Sequence, residues 1–348
     1  MATYCGVDFH ARQQTVAYFN TEDGEIKVIE LNHQSDEVQR FYEGLPKPVR
    51  VGLEATGYIP WFEKLLTELE HEVWVGNATE IRRRARSRQK NDRRDAELIL
   101  DLMIKNEFPR IHRLSQESLD VLRQLRYRHK LVRMRTMTKN SLHAISLSSG
   151  LSLQAKLLTK DGKAKLEALD LSPALTEQRR EWLDLIEQID TRIKRTETEL
   201  EKIAGKDPRV ELLRTHPGIG LLTSLALVHT LEPVSRFANS RKVTAFAGLE
   251  PCEDSSADRV RWNGISKAGS RLLRFLLIEA AQRSLGKDEE LKRFYLHLSG
   301  RRGRPKAKIA IARKLLSRAW IMLRDKIDYA EFLQRGVAVR SARTVHRP

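Results

Sequence analysis

Two cysteines, Cys5 and Cys252, are too few for a disulfide framework and have no zinc-ligand spacing, so neither a stapled scaffold nor a zinc module is expected. Apolar runs long enough to span a bilayer are also missing. The stretch from Leu221 to Val228, interrupted by Thr223 and Ser224, has only the length of a core helix. With no signal peptide and no lipidation signal, the expectation is a cytoplasmic chain with no membrane partner. Aromatic residues make up 6% of the sequence, so groups that could stack on bases are scarce.

What the chain has in quantity is positive charge. Lys and Arg number 63 against 46 acidic residues, a formal net charge of +17. A polyanion whose binding releases counterions is the natural partner, and nucleic acid comes first. The 348 residues, 41% of them hydrophobic, suffice for two or three globular domains.

The stretch Lys90-Asn91-Asp92-Arg93-Arg94-Asp95-Ala96-Glu97 organises the rest. Asn91 is a good helix cap, and Ala96, Leu98, Ile99, Leu102 and Met103 follow at helical spacing. Asp92 and Asp95 then share one face. Such carboxylates repel unless a cation sits between them, and hard oxygen donors suit a divalent ion such as magnesium. Acids in a first turn also favour the helix dipole and could simply pair with Arg93 or Arg94. The choice depends on the rest of the chain.

Residues Thr3 to Asp8, Thr15 to Phe19 and Glu25 to Leu31 read as strands joined by short connections. A helix from Ser35 to Gly44, a strand from Pro48 to Glu54, a helix from Pro60 to Glu70 and a strand from Glu72 to Val75 precede the organising helix. This is the element order of a ribonuclease H-like fold, with a mixed sheet. Asp8 ends the first strand and Glu54 the fourth, so four carboxylates from three distant segments are expected to converge. Paired metal ions held by such a cluster can activate a nucleophile and stabilise a leaving oxygen in phosphodiester chemistry. His10 would share the face of Asp8 if the strand ran that far. With a turn starting there, it reads as structural.

From Arg82 to Lys90 nine residues carry six positive charges (Arg82, Arg83, Arg84, Arg86, Arg88 and Lys90) and no acid. A charge run can be a plain solvated face, but this one adjoins the expected carboxylate cluster, where a phosphate backbone would pass. Ser115 to Leu147 reads as a long helix with Leu119, Leu122, Leu125, Leu131, Met134 and Met137 on its apolar side. A second begins near Thr176, where Trp182, Ile186, Ile189, Ile193, Thr196, Leu200 and Ile203 form a coiled-coil seam. The spacing fits packing within the chain or across a dimer, and the reading leans slightly to the dimer. His216-Pro217-Gly218-Ile219-Gly220 between two helices is similar to a helix-hairpin-helix element, whose glycines let backbone N–H groups approach a phosphate. A polar loop from Cys252 to Arg259 contains Ser255 and Ser256, with Arg261, Lys267, Arg271 and Arg274 around it. Those cations could stabilise a charged transition state, but the loop offers no histidine base. Beyond Leu285 come the basic run Arg301 to Lys306, a last amphipathic helix and a tail from Gly336 expected to be mobile.

Five motifs occur in order: Gly6-Val7-Asp8-Phe9-His10, Gly52-Leu53-Glu54-Ala55-Thr56-Gly57, Lys90 to Ala96, His216 to Gly220, and Gly264-Ile265-Ser266-Lys267. Together they resemble the DEDD insertion-sequence transposases of the IS one-ten family, relatives of the Piv-type DNA invertases, from about residue 3 to 325. The resemblance implies a RuvC-like domain over 1–108 with the tetrad Asp8, Glu54, Asp92 and Asp95 holding one or two Mg2+ ions. A helical coiled-coil region over 109–205 and an otherwise helical transposase domain over 206–330, which carries a nucleophilic serine, would follow, with a basic tail over 331–348. That serine usually precedes glycine. Ser256 matches its place, but Ala257 replaces the glycine, which keeps Ser255 as a second candidate. The implied activity is DNA strand exchange through a 5′-phosphoserine link, with a bridge RNA pairing to donor and target DNA. A homodimer or dimer of dimers is the implied assembly. Arg82, Arg83, Arg84, Arg86, Arg88, Lys90, Gly218, Gly220, Lys267 and Arg271 are the expected nucleic-acid contacts. Two other classes stay open: a metal-dependent junction-resolving endonuclease with water as nucleophile, and a non-catalytic basic scaffold.

Overall fold

The computed structural model describes residues 2–22, 24–57, 59–85, 91–153, 156–253 and 262–336, which form two compact units, 1–113 and 114–348. Arg86, Arg88, Lys90, Ser255, Ser256, Arg261 and the tail beyond Gly336 lie outside the described residues. Among the described residues no helix is long and apolar enough to cross a membrane.

The first unit begins with strands β1 (Thr3–Phe9), β2 (Gln13–Asn20) and β3 (Ile26–Asn32), followed by helix α1 (Glu37–Glu43). Strand β4 (Val49–Glu54), helix α2 (Pro60–Glu68), strand β5 (Glu72–Gly76) and helices α3 (Ala78–Arg84) and α4 (Asp92–Ile104) complete it. The strands lie in the order β3-β2-β1-β4-β5. β1 and β3 run antiparallel to β2, and β4 is parallel to both β1 and β5, as the hairpin and crossover connections require. This mixed sheet fits the expected ribonuclease H-like fold.

Side-chain alternation along the strands sends Cys5, Val7 and Phe9 of β1 and Val51 and Leu53 of β4 to one face, where Tyr42 of α1 and Phe62 and Leu66 of α2 cover them. The other face receives α4, through Ala96, Ile99, Leu100 and Met103 packed against Ala17 and Trp74. Each of these fully buried large side chains stabilises the unit by roughly 1.5–3 kcal/mol. The first part of the basic run, Arg82 to Arg84, belongs to helix α3, an element the charge pattern does not announce. Asn77 caps that helix by accepting from the Thr79 and Glu80 N–H groups, and Ile81 anchors it in the core.

In the second unit, α5 (Gln116–Ser148) and α7 (Pro173–Ala204) pack along their length, with α6 (Lys160–Glu167) between them in sequence. Arg128 bonds Glu197 at 2.6 Å and Arg135 pairs with Asp190 at 2.6 Å, so the register runs in opposite directions and the pair is antiparallel. Ile186, Ile189 and Leu200 are buried in the chain itself. The lean towards a dimer seam is therefore corrected for these residues, because α5 already covers the stripe. On α5 the expected apolar side holds at Leu122, Leu125 and Leu131, which are buried with Val121, Leu142 and Ile145, but not at Met134 and Met137, which are exposed.

The chain continues through α8 (Pro208–Arg214), α9 (Leu221–Leu231), α10 (Ser240–Phe246), β6 (Pro251–Glu253) and β7 (Trp262–Ile265). It ends in α11 (Arg271–Ser284), α12 (Glu289–Arg302) and α13 (Arg304–Asp325), followed by a helical segment over 329–336. Helix α12 did not stand out in the sequence. Gly303, at φ 84°, separates it from α13 within the basic run. One core joins Val210, Leu227, Leu277, Leu315 and Trp320 of these helices to Val121, Leu122 and Leu125 of α5 and Leu200 of α7.

Candidate active site

Two strands repeat one pattern, a glycine followed two residues later by an acid on the same face: Gly6 and Asp8 in β1, Gly52 and Glu54 in β4. A Cβ on Gly6 would lie 2.4 Å from both the Ala96 carbonyl oxygen and the Leu100 nitrogen of α4. A Cβ on Gly52 would lie 2.2 Å from Met103 Sδ. The glycines thus let the helix lie directly on the strands, and the acids emerge where its N-terminal turn begins. That turn is set by Asn91, whose side chain accepts from Arg93 N–H and caps α4.

Asp8 and Asp92 are brought together, with His10 between them. His10 Nε2 is 3.1 Å from Asp8 Oδ2 and 3.4 Å from Asp92 Oδ2. One ligand atom from each of the three residues falls within 4.8 Å of the others. Burial pushes the Asp8 carboxyl above its ordinary range; His10 pulls it down, while the negative charges of Asp92 and Asp95 add to the rise. Asp95 is therefore close enough to act electrostatically on Asp8. Glu54 is placed by register: Val7 pairs with Leu53 on the parallel neighbour, so Asp8 and Glu54 follow side by side. Its carboxylate engages Arg82, 3.3 Å away. The four expected acids thus stand at one end of the sheet, with Asp8 and Asp92 brought together around His10 and Glu54 turned to an arginine.

The turn that starts at His10 does not carry its side chain away from Asp8. Phe9 points into the opposite face, stacked on Phe62 at 5.3 Å, so residues 8 and 10 share a side although the turn has started. The alternation Asp8-Phe9-His10 is the sequence signal that could have found it. Two carboxylates suit a hard divalent cation, and an empty gap between them would be repulsive, so these residues fit a metal ion. Beside Asp92, an open cleft of about 550 Å3 is lined by Thr15, Val28, Ile29, Glu30, Asn91 and Arg93.

A DEDD transposase model of the IS110 type matches residues 5–147, which include all four acids, and a model described as "Transposase IS116/IS110/IS902 family" matches residues 210–296. The transposase for insertion sequence element IS1111A of Coxiella burnetii is 29% identical over 248 residues, covering 69% of this chain and 68% of the relative. The transposase for insertion sequence element IS1328 of Yersinia enterocolitica is 28% identical over 289 residues, covering 79% of this chain and 84% of the relative. The chain belongs to the DEDD transposases of the IS110 family.

In this transposase the segment with Ser255 and Ser256 is bracketed by β6 and β7, paired antiparallel with Pro251 opposite Ile265 and Glu253 opposite Trp262. Its base is interlocked. Gly248 and Gly269, both at φ 67°, sit so close to Ala268 and Phe246 that a Cβ would be 2.1 and 2.2 Å from their carbonyl oxygens. Arg274 also donates to the Ala247 and Ala268 carbonyls, which makes it a clamp at this base rather than a cation free for the loop. Lys267 and Arg271 are exposed.

The other expected contacts divide in the same way. Arg82, Arg83 and Arg84 are exposed on α3, with Glu54, Glu80 and Glu107 as their acidic partners, contacts weak enough at the surface to be exchanged. Gly218, at φ 92°, is turned against α11, where a Cβ would be 2.6 Å from the Ala280 carbonyl oxygen. Close helix packing by itself requires a glycine here. Gly220, exposed ahead of α9, has open space around it. Buried His216 packs at a tilt against Tyr329, with ring centroids 4.3 Å apart, and donates from Nδ1 to the Pro217 carbonyl at 2.9 Å.

Proposed function

We propose that this transposase moves its element by serine-mediated DNA strand exchange at a metal centre built from Asp8, Glu54, Asp92 and Asp95. The observation that carries the proposal is the close approach of Asp8 and Asp92, with the charge of Asp95 acting on the same carboxyl. One or two magnesium ions held there would supply positive charge against the phosphate oxygens in the transition state. The carboxylates orient that charge, and the exposed cations of α3 hold the DNA backbone beside them.

The nucleophile in this reading is Ser256, with Ser255 second. Its Oγ attacks phosphorus, the serine proton passes to solvent base, and the P–O3′ bond breaks. The departing 3′ oxygen takes up a proton, and the DNA stays attached through its 5′ phosphate. Arg82, Arg83, Arg84, Arg86, Arg88, Lys90, Gly218, Gly220, Lys267 and Arg271 are assigned to the nucleic-acid backbone. Donor and target sequence would be read by a bridge RNA through base pairing, which agrees with +17 net charge and 6% aromatic residues. Strand exchange joins two DNA ends, so a homodimer or dimer of dimers is the proposed assembly.

The test is covalent capture. The full chain, with the RNA that copurifies and DNA carrying the element's ends, is resolved on a denaturing gel. A protein–DNA adduct from the wild type that is lost in Ser256→Ala, and less affected in Ser255→Ala, supports the mechanism. An adduct that survives both substitutions refutes the serine assignment. Cleavage without any adduct points instead to a junction-resolving endonuclease, and no cleavage to a scaffold. Asp8→Asn, Glu54→Gln, Asp92→Asn and Asp95→Asn should each abolish recombination while sparing DNA and RNA binding.

A further inference from the structure

The cluster around Asp8 holds one donor that a tetrad of acids does not account for. His10 follows β1 in a turn fixed by its own backbone, whose N–H donates to the Gln13 carbonyl at 3.0 Å. From there its side chain returns to the carboxylate side of the sheet. Nε2 faces Oδ2 of Asp8 at 3.1 Å and Oδ2 of Asp92 at 3.4 Å.

These separations are those of a ligand shell. Donors bound about 2.1 Å from a six-coordinate ion lie about 3.0 Å apart along an octahedral edge. One ligand atom from each of the three residues lies within 4.8 Å of the others, so the group is compact enough for a single ion to take all three. The imidazole is 39% exposed, so it is not held there by the core, and its approach to two acids is a feature of the site itself.

We propose that His10 Nε2 is a ligand of the metal centre together with Asp8 and Asp92, and that it tunes the centre towards ions that accept nitrogen. Carboxylates alone suit Mg2+, Ca2+ and Mn2+ alike, whereas imidazole is a softer donor and favours the transition metals. A mixed nitrogen and oxygen set raises affinity for Mn2+ more than for Mg2+. The inference rests on reading the acids as a metal centre, and the experiment separates the two.

Mn2+ is titrated into the full chain, free Mn2+ is followed by electron paramagnetic resonance, and the bound ion is examined by pulsed measurement of nitrogen coupling. Expected for the wild type is a bound Mn2+ with the modulation of an imidazole nitrogen. His10→Ala should lose that modulation and at least about tenfold in Mn2+ affinity, with a smaller loss for Mg2+ measured by competition. Asp8→Asn should lose the ion itself. If Mn2+ binds in an Asp8-dependent way without nitrogen modulation, the His10 assignment fails while the metal centre stands. That also holds if His10→Ala binds Mn2+ as tightly as the wild type. A wild type that binds no more Mn2+ than Asp8→Asn overturns both. Nitrogen coupling is read on the unmutated protein, so the outcome does not depend on how the variant folds.

Discussion

Gly6→Ala puts the packing argument for the site to its sharpest test. The added methyl would sit 2.4 Å from two backbone atoms of α4, the Ala96 carbonyl oxygen and the Leu100 nitrogen, where ordinary contact begins near 3.4 Å. Neither atom can rotate away, so the helix must withdraw by about 1 Å, at a cost of roughly 1–3 kcal/mol. Asp92 and Asp95 ride on that helix while Asp8 stays on the sheet, so the carboxylates move apart. A displacement of this size lowers a positioned reaction by about 100-fold. Gly52→Ala is the matched control, since its methyl meets the Met103 side chain with Sδ 2.2 Å away. A thioether on three rotatable bonds adapts where a helix backbone cannot, so this variant should lose less than about 1.5 kcal/mol. Urea unfolding followed by circular dichroism gives the stabilities, and single-turnover DNA cleavage gives the chemistry. The reasoning is refuted if Gly6→Ala cleaves at the wild-type rate with unchanged stability, or if Gly52→Ala proves the more damaging of the two.

Three further outcomes are expected. Burial, helped by the charge of Arg318, lowers the His216 pKa from 6.5 to about 4. The unfolded chain then binds a proton below pH 6.5 that the folded unit refuses until about pH 4, so stability is full above that window and declines through it by up to about 3 kcal/mol. His216→Gln should flatten this part of the stability–pH curve, and an unchanged slope would show that His216 is not the titrating group. Ile189→Asp should destabilise the α5–α7 pair by about 3 kcal/mol or more without altering mass by light scattering, because the stripe faces its own chain; a drop to a smaller species with folding intact would return the seam to an interface. Lys267→Ala and Arg271→Ala should each lower the slope of log affinity against log salt for duplex DNA by about 1, whatever the sequence, whereas an unchanged slope would remove that residue from the backbone contacts.

What the sequence determined by itself rests on periodicity and end signals. Alternation along Thr3–Phe9 and Val49–Glu54, the Asn91 cap and the spacing of Ala96, Ile99, Leu100 and Met103 define elements and their faces locally, so the strand order and the common side of Asp92 and Asp95 were legible. Helix α3 was masked by its own charge, since only Ile81 of its residues is buried and the capping Asn77 lies before the arginines. Which group stands between two faces is a non-local matter. The placement of His10 between Asp8 and Asp92, and the diversion of Glu54 to Arg82, depend on how closely α4 and α3 approach the sheet. A heptad stripe likewise has the same spacing whether its partner is a second copy or α5, and only folding buried Ile186 and Ile189 inside the chain. The sequence does not say what packs on the turn glycine Gly218, and α11 takes the space its missing side chain leaves. Local chemistry sets what each segment can bury or bind; the three-dimensional neighbours, set by packing of the whole unit, decide which of those options is used.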